Sequence, residues 1–281
     1  MTYKTILKKA LDYGVKNLKD DVDIAAFFND LPIPKGHFSR LFYTAYGMTF
    51  SHYIRKLKQS HAADDYLKKH DLNALKAYGF ESLKALKNSF NLADQDELND
   101  AFLQAQRRMP RMVLPKLMKL EKPILKTLEA KDFVGVPYHG HNPKQAIQRN
   151  WERLEARMPE EKTNFIQDTT YGLMAPIRDE GFDLLNPKTG VFSYMCAKEV
   201  IEFGHLPKDF KYRMLPKRRY AIFVHKGSLE TLRHSYFTIY ANALIEEGLT
   251  YDEDYVFEAY GPDADLDKDK AHIKIYVPIK P

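Results

Sequence analysis

The sequence predicts two domains, an all-α N-terminal head followed by an α+β module. Its 281 residues exceed the usual length of one domain, and 44% apolar residues with 13% aromatic residues suffice for packed cores. Apolar residues recur every three to four positions in roughly the first 105 residues and alternate with a period of two in the second half. We place the head at residues 1–108, a linker at 109–121 and the module at 122–281.

Composition excludes several classes of protein. No apolar run approaches the roughly 18 residues of a membrane span, and the first residues lack the apolar stretch of a signal peptide. We therefore expect a cytoplasmic protein with no membrane partner. The single cysteine, Cys196, excludes an intramolecular disulfide and a thiolate zinc cluster, and we expect it in the core.

Positive charge is concentrated in the first part of the chain. Residues 1–120 carry 20 Lys and Arg against 13 Asp and Glu, a balance of +7. Residues 121–281 carry the remaining 23 against 25, a balance of −2, which together give the net +5. This asymmetry favours a polyanionic partner for the head, although a solvated lysine-rich surface explains it equally well.

The head begins with an amphipathic helix and a short second helix at Ile24–Phe28. The apolar stripe of the first helix is formed by Tyr3, Ile6, Leu7, Ala10, Leu11 and Leu18. Pro32 and Pro34 interrupt the pattern, and a third helix should begin near Pro34. Its buried face should contain Phe38, Leu41, Phe42 and Ala45.

The opposite face of this third helix is polar and basic. We expect it to project outward with Lys35, His37, Ser39, Arg40 and Tyr43. A helix, a turn marked by proline and a helix with one polar face form the outline of a helix-turn-helix. Any all-α bundle shares much of this pattern.

Particular residues add to the pattern. The segments Phe38–Phe42, Tyr46–Phe50 and Tyr53–Lys58 resemble the first half of an AraC/XylS-type DNA-binding domain. Ala77–Phe80 resembles the turn of that family's second helix-turn-helix, where Asn88 stands in place of the usual arginine. The resemblance covers about residues 3–100 and implies two helix-turn-helix units joined by a long helix at about Phe50–Lys69, the second unit being degenerate.

The resemblance implies contacts with double-stranded DNA. Arg40 and His37 would reach base edges. Lys35, Tyr43, Lys84 and Lys87 would mostly meet phosphate, and Ser39 and Asn88 are further candidate DNA contacts. For each of these residues taken alone, a solvated surface role is equally compatible with the sequence. Acidic residues between 94 and 100 would repel phosphates if they faced them.

The module alternates strands with two helices. Residues 107–123 contain three prolines and mark the connector. The predicted strands include Phe192–Ala197, Tyr220–Val224 and Ile273–Ile279. One helix should open at Asn142-Pro143, with Ile147, Trp151, Leu154 and Met158 inward. The other should be capped by Ser228, with Leu229, Leu232, Tyr236, Ile239 and Ala243 inward. The repeated order indicates an internal duplication of about 75 residues.

The segments Ala221–Ser228, Phe257–Tyr260 and Ile275–Ile279 together resemble the GyrI-like small-molecule-binding domain. The match spans about residues 122–281. It implies a cleft between two halves, lined by aromatic residues, with a buried glutamate that pairs with lipophilic cations. Glu258 matches that glutamate, and a carboxylate inside aromatic walls favours a flat organic cation.

We take Trp151, Tyr171, Tyr194 and Tyr260 as the candidate walls of this cleft, with simple core packing as the alternative. His139-Gly140-His141 lacks a third ligand at a clear spacing, so we expect no metal. No glycine-rich loop or nucleophile elbow is present, so we expect no cofactor.

These features predict a ligand-responsive DNA-binding regulator. The first alternative is a hydrolase in which Glu258 acts as a general base beside a cleft tyrosine. The second is a protein that only binds a macromolecular partner. The sequence leaves open the ligand, the operator, the direction of regulation and whether the chain forms a homodimer.

Overall fold

A computed structural model describes residues 2–19, 22–90, 113–140, 143–157, 165–177, 191–201, 208–262 and 271–281, with residues 98–101 and a few single positions between them. The helices are α1 Tyr3–Lys16, α2 Ile24–Asn29, α3 Lys35–Tyr46, α4 Phe50–Lys69, α5 Leu72–Lys76, α6 Leu83–Ser89, α7 Pro143–Arg157, α8 Leu232–Thr238 and α9 Leu244–Glu246. The strands are β1 Ile124–Leu128, β2 Lys131–Gly140, β3 Phe165–Met174, β4 Phe192–Val200, β5 Lys211–Leu215, β6 Arg218–Gly227, β7 Val256–Tyr260 and β8 Ala271–Pro278.

The first compact unit contains the helical residues on either side of α3, within 1–35 and 46–114. Thr2, Asp23 and Thr49 precede α1, α2 and α4, and each side chain accepts a hydrogen bond from a backbone N–H of the first turn. Apolar residues at three-to-four spacing then pack inward, with the rings of Phe27 and Phe50 4.9 Å apart. The long helix predicted at Phe50–Lys69 is confirmed.

The second compact unit includes residues 36–45 of α3 together with 115–177 and 191–281. The predicted apolar face of α3 is confirmed, since Phe38, Leu41, Phe42 and Ala45 are all buried. The grouping differs from a single division of the chain at the connector. In this structure, ten residues of the predicted head pack with the C-terminal elements.

In the part of the chain that the structure describes, eight antiparallel strands form one sheet in the order β1-β6-β8-β7-β3-β4-β2-β5. The order is symmetric about the β7–β3 pair, because β2, β4 and β3 on one side repeat the arrangement of β6, β8 and β7 on the other. Each half carries its helical segment between its first two strands in chain order, as a duplicated strand-helix-strand unit requires. The predicted fold class, a helical head followed by an α+β module of two similar halves, is confirmed.

The sheet curls, as a contact between distant strands shows. Arg213 on the edge strand β5 lies over the ring of Tyr255, next to the central strand β7, 5.4 Å from its centroid. One face of the sheet carries the core of the unit. Its buried members are Phe133, Leu173, Met195, Ala197, Leu215, Tyr220, Ile222 and Phe257. The other face packs against α7, whose Asn150 donates hydrogen bonds to the carbonyls of Val136 and Pro137. The predicted core position of Cys196 is confirmed.

The second long helical segment runs from Leu229 to Glu246 and changes type along its length. A 3₁₀ turn at Leu229–Thr231 precedes α8, and a π-helical turn at Ile239–Ala243 joins α8 to α9. The expectation that the Ser228 side chain caps the helix is wrong, since that side chain makes no capping hydrogen bond. Leu229 is 45% exposed, so its predicted inward position is also wrong.

Within the described ranges, no helix is long and apolar enough to cross a membrane. Some sequence expectations lie outside the described residues. They concern the acidic residues 94, 96 and 97, the residues Asn142 and Met158, and most of the basic part of the connector.

The close pairing of β2 with β4 requires a glycine at position 135. A Cβ on Gly135 would lie 1.9 Å from the carbonyl oxygen of Cys196 and 2.7 Å from the Cα of Ala197, both backbone atoms of the paired strand. Backbone in the middle of a sheet cannot move aside, so we expect Gly135→Ala to lower the free energy of unfolding by about 1–3 kcal/mol or more. Urea denaturation followed by the fluorescence of the single tryptophan, Trp151, measures this change.

Gly140→Ala is the control for this prediction. Its Cβ would meet the end of the Tyr138 side chain, which can turn away. Equal unfolding midpoints for the two variants would show that the β2–β4 contact does not restrict position 135.

Candidate functional site

The carboxylate of Glu258 is the centre of a buried polar cluster. Glu258 lies on the central strand β7 and is 4% exposed. Three tyrosine hydroxyls donate to it: Tyr194 to Oε2 at 2.7 Å, Tyr260 to Oε2 at 2.6 Å and Tyr236 to Oε1 at 2.9 Å. Both carboxylate oxygens are therefore hydrogen-bonded to neutral donors.

Strand register brings these groups together. Glu258 and Tyr260 are two residues apart and share a face of β7. Gly172 on β3 lies directly opposite Glu258, and a Cβ there would lie 1.9 Å from the hydroxyl oxygen of Tyr194 and 2.6 Å from Glu258 Oε2. The absence of a side chain at position 172 thus leaves the space in which the carboxylate and the hydroxyl meet.

Aromatic rings surround this cluster on one side. Trp151 of α7 packs edge-on against Tyr260, with ring centroids 5.5 Å apart, and against Tyr194 at 6.4 Å. Phe192 stacks on the other side of Tyr194 at 6.3 Å. Trp151, Tyr194, Tyr260 and Glu258, four of the five residues predicted from the sequence, therefore lie together.

Burial determines the electrostatics of the cluster. Desolvation raises the pKa of Glu258, and the three tyrosine hydrogen bonds oppose that rise. Burial and the neighbouring carboxylate raise the pKa values of Tyr194, Tyr236 and Tyr260 well above the usual range. The ion pairs of the described residues do not include Glu258. The buried carboxylate of Glu258 therefore accepts hydrogen bonds but forms no ion pair with a described residue.

The fifth predicted wall residue, Tyr171, lies on the opposite face of the sheet. Side chains alternate along β3, so Tyr171 points away from the face that carries Gly172 and Glu258. Its ring packs edge-on against Phe133 of the core, and its hydroxyl donates to Glu199 Oε2 at 3.0 Å. The prediction that Tyr171 lines the same cleft as Glu258 is not met in this structure.

Sequence reasoning missed Tyr236 as a site residue. It placed Tyr236 on an inward helix stripe, which is correct, but periodicity does not show that its hydroxyl reaches Glu258 from α8. A tyrosine on a buried helix face was the available signal, since a buried hydroxyl needs a partner.

The expectation that the polar face of α3 projects outward is wrong for its central residues. His37 and Arg40 are each 3% exposed, and Ser39 is fully buried. Burial lowers the pKa of His37, and its Nε2 lies 2.6 Å from the carbonyl oxygen of Tyr240. In this arrangement these three side chains cannot touch a nucleic acid. Tyr43 is half-buried against Phe192, with parallel rings 4.6 Å apart.

The predicted residues of the second helix-turn-helix have the opposite exposure. Lys84 and Asn88 are exposed on α6, and Lys87 is partly exposed. Lys35 is partly exposed, with its ammonium 5.4 Å from the ring centroid of Phe28. The unit whose sequence departs more from the family pattern therefore presents its polar residues to solvent.

The described residues form no cluster of three or more potential metal ligands. His139 has its Nδ1 2.8 Å from Ser193 Oγ, and His141 lies outside the described residues.

Comparison with known protein families assigns the C-terminal unit. Residues 121–280, more than half of the chain, match the family described as "GyrI-like small molecule binding domain". The chain therefore belongs to the GyrI-like family. The match begins at residue 121, so the AraC/XylS type of the head remains a prediction.

A curated relative is the "Transcriptional regulator BrlR" of Pseudomonas aeruginosa, 30% identical over 155 residues. The alignment covers 53% of this chain and 52% of BrlR, so the chain spans about half the length of that relative.

Two solved structures are similar over the C-terminal part or more. SAV2435 bound to tetraphenylphosphonium is 21% identical, with a TM-score of 0.42 over 58% of this chain and 94% of that one. EcmrR in an EcmrR–DNA complex is 15% identical, with a TM-score of 0.45 over 82% of each chain. Similarities of this size carry no argument about ligands or activity.

The raised pKa of Glu258 predicts a pH dependence of stability. The folded protein keeps a proton at this site where the unfolded chain has lost it. The associated stability is complete below the usual value of 4.5 and is lost as the pH rises through the raised pKa. We therefore expect the free energy of unfolding of the native protein, relative to Glu258→Gln, to fall as the pH rises from 4.5 through the raised pKa of Glu258.

Urea denaturation of both proteins across this range measures the difference, with other titrating groups common to both. Parallel pH profiles would mean that the pKa of Glu258 is the same in the folded and unfolded states.

Proposed function

We propose that the chain is a cytoplasmic, ligand-responsive regulator of transcription whose C-terminal unit binds a lipophilic cation at Glu258. The observation that carries the ligand is the buried Glu258 carboxylate, which receives three tyrosine hydroxyls and has no cationic partner among the described residues. Membership in the GyrI-like family supports small-molecule binding, and the similarity to BrlR supports a role in transcription.

A lipophilic cation satisfies both properties of this site. Its charge would compensate the desolvated carboxylate, and its apolar groups would pack against Trp151 and the tyrosine rings. The tyrosine hydroxyls would have to turn away from Glu258 to admit it. A neutral ligand of the same shape would leave the carboxylate without compensation.

DNA binding by the head rests on different features. The first 120 residues carry a net charge of +7, and α6 exposes Lys84 and Asn88. The resemblance of residues 3–100 to an AraC/XylS-type domain supports the same role. Of the predicted contact residues, those on α6 are available in this conformation, whereas His37, Ser39 and Arg40 are not.

One observation favours a second function. The burial of His37 and Arg40 fits a protein whose head no longer binds DNA and whose C-terminal unit acts alone, by sequestering or hydrolysing a small molecule. In a hydrolase, Glu258 with its raised pKa would be the general base.

Tetraphenylphosphonium is a suitable probe because it combines a permanent charge with aromatic groups. We expect Glu258→Gln to weaken its binding about tenfold or more, since the variant loses the charge that compensates the cation. Isothermal titration calorimetry or quenching of Trp151 fluorescence gives the dissociation constants.

Glu199→Gln provides a matched control. Glu199 is also a buried glutamate that accepts a hydrogen bond from a tyrosine, but it lies on the opposite face of the sheet. We expect Glu199→Gln to bind the cation as tightly as the native protein does. Neutral triphenylphosphine oxide should bind weakly to the native protein and to Glu199→Gln. An equal loss in the two glutamate variants, or none in either, would remove Glu258 from the site.

Binding to random duplex DNA tests the head. About four phosphate contacts should give a slope of log K against log salt of about −3.6, and Lys84→Ala should reduce its magnitude by about 0.9. Fluorescence anisotropy with a labelled duplex measures both. If no salt-dependent binding is found at low ionic strength, DNA-binding regulation is excluded in favour of the second function. Hydrolysis of an electrophilic substrate by the native protein, but not by Glu258→Gln, would then support a hydrolase.

A further inference from the structure

The two ends of α3 are capped by oppositely charged side chains from distant parts of the sequence. At its N-terminus, the backbone N–H of Gly36 donates to Glu253 Oε1 at 2.6 Å. At its C-terminus, Arg233 donates through Nε to the carbonyl of Thr44 at 2.8 Å and through Nη2 to that of Ala45. The helix itself has no acidic residue in its first turn and no basic residue in its last. Glu253 and Arg233 thus supply the charges that its macrodipole favours.

The side chains between these ends bind the same surface. Arg40 donates to the carbonyls of Ala175 at 2.7 Å and Met174 at 3.1 Å, and to the hydroxyl of Tyr251 at 3.3 Å. His37 and Tyr43 contact this surface through Tyr240 and Phe192, as described above. Residues 36, 37, 40, 43 and 44 recur at three-to-four spacing, so these contacts occupy one face of the helix. We call their partners, Met174, Ala175, Phe192, Arg233, Tyr240, Tyr251 and Glu253, the helix-docking surface.

The hydrogen bonds of Arg40 leave its guanidinium without an opposite charge as a partner. All three of these acceptors are neutral oxygen atoms, although the guanidinium is almost completely buried. A charge buried without an opposite charge is poorly compensated. A phosphate group would supply the opposite charge that these neutral acceptors lack and would bind the same guanidinium through hydrogen bonds in which both partners are charged. A polyanion would therefore compete with the docked state of α3 for Arg40 once the helix ends are released.

The helix-docking surface is joined to the Glu258 site through shared elements. Arg233, which caps α3, and Tyr236, which donates to Glu258, lie three residues apart on α8. Met174, which accepts from Arg40, pairs across the sheet with Tyr194, the second donor to Glu258. A ligand that turns these two tyrosines away from Glu258 therefore displaces groups adjacent to both the cap and the arginine acceptor.

We infer that the helix-docking surface holds the polar face of α3 in competition with DNA, and that a lipophilic cation at Glu258 releases it. This inference rests on the proposed function. It assigns to Glu253 and Arg233 a role in keeping His37 and Arg40 from DNA, and it makes the ligand an inducer of DNA binding.

The test removes the caps without touching the face that would read DNA. We expect Glu253→Ala to raise affinity for duplex DNA severalfold and the Glu253→Ala/Arg233→Ala double variant to raise it about tenfold or more. We expect saturating tetraphenylphosphonium to raise the affinity of the native protein in the same direction and that of the double variant much less. Anisotropy titrations at fixed salt measure the DNA affinities of the native protein and the two variants, and those of the native protein and the double variant with the ligand.

Two further variants make the result specific. Arg40→Ala added to the double variant should remove most of the gain, because the released face has lost its guanidinium. Arg153→Ala removes an arginine whose ion pair with Asp209 lies on the exposed side of α7, and it should leave DNA affinity unchanged. Glu253 is exposed, so its replacement keeps the test valid if the double variant fails to fold.

Hydrogen–deuterium exchange of residues 36–45 separates failure of this inference from failure of the proposed function. Faster exchange in the capping variants together with higher DNA affinity supports the inference. Unchanged exchange, or faster exchange with unchanged or lower DNA affinity, overturns it. If no protein in the series binds DNA at any salt concentration, both the inference and the regulatory function fail.

Discussion

The C-terminal unit is organised around one constraint, a carboxylate kept away from water by a sheet and two helices. Desolvation of Glu258 is unfavourable for its charged form, and three tyrosine hydroxyls from β4, β7 and α8 offset part of that penalty. Each hydroxyl fixes the position of the element that carries it. In the proposed function, the same carboxylate that accepts these hydrogen bonds would also attract a cation able to displace them.

The position of α3 follows from the same part of the fold. The helix resembles a DNA-reading element in its sequence, yet its polar face is bound by carbonyls, a tyrosine hydroxyl and two capping side chains of the second compact unit. Because α8 supplies both a donor to Glu258 and the cap of α3, a displacement of α8 would alter both contacts. Coupling of this kind requires only that the ligand prefer one of two arrangements.

Periodicity and turn residues predicted most of the secondary structure. The proline pair and the apolar stripe located α3, and the repeated order of elements predicted the two halves of the sheet. The resemblance to the GyrI-like domain pointed to Glu258 and to Trp151, Tyr194 and Tyr260 as its aromatic neighbours, and the structure brings these four residues together.

The wrong predictions share a physical cause. Periodicity shows which residues share a face of a helix or strand, but not which part of the protein packs against that face. An amphipathic helix shows that Arg40 lies opposite Phe38 and Phe42, but not that another surface covers Arg40. Strand alternation alone did not place Tyr171 relative to Glu258, since the face of β3 that lies on the same side of the sheet as Glu258 depends on the register of β3 with β7. Tyr236 was missed because its hydrogen bond joins elements 22 positions apart in sequence.

A crystal structure of the full chain with tetraphenylphosphonium tests the central claim most directly. The account predicts the cation against Trp151 and the tyrosine rings, with its centre within about 6 Å of a ring centroid and at least one tyrosine hydroxyl turned away from Glu258. A cation bound elsewhere, with all three hydroxyls still on Glu258, would contradict it.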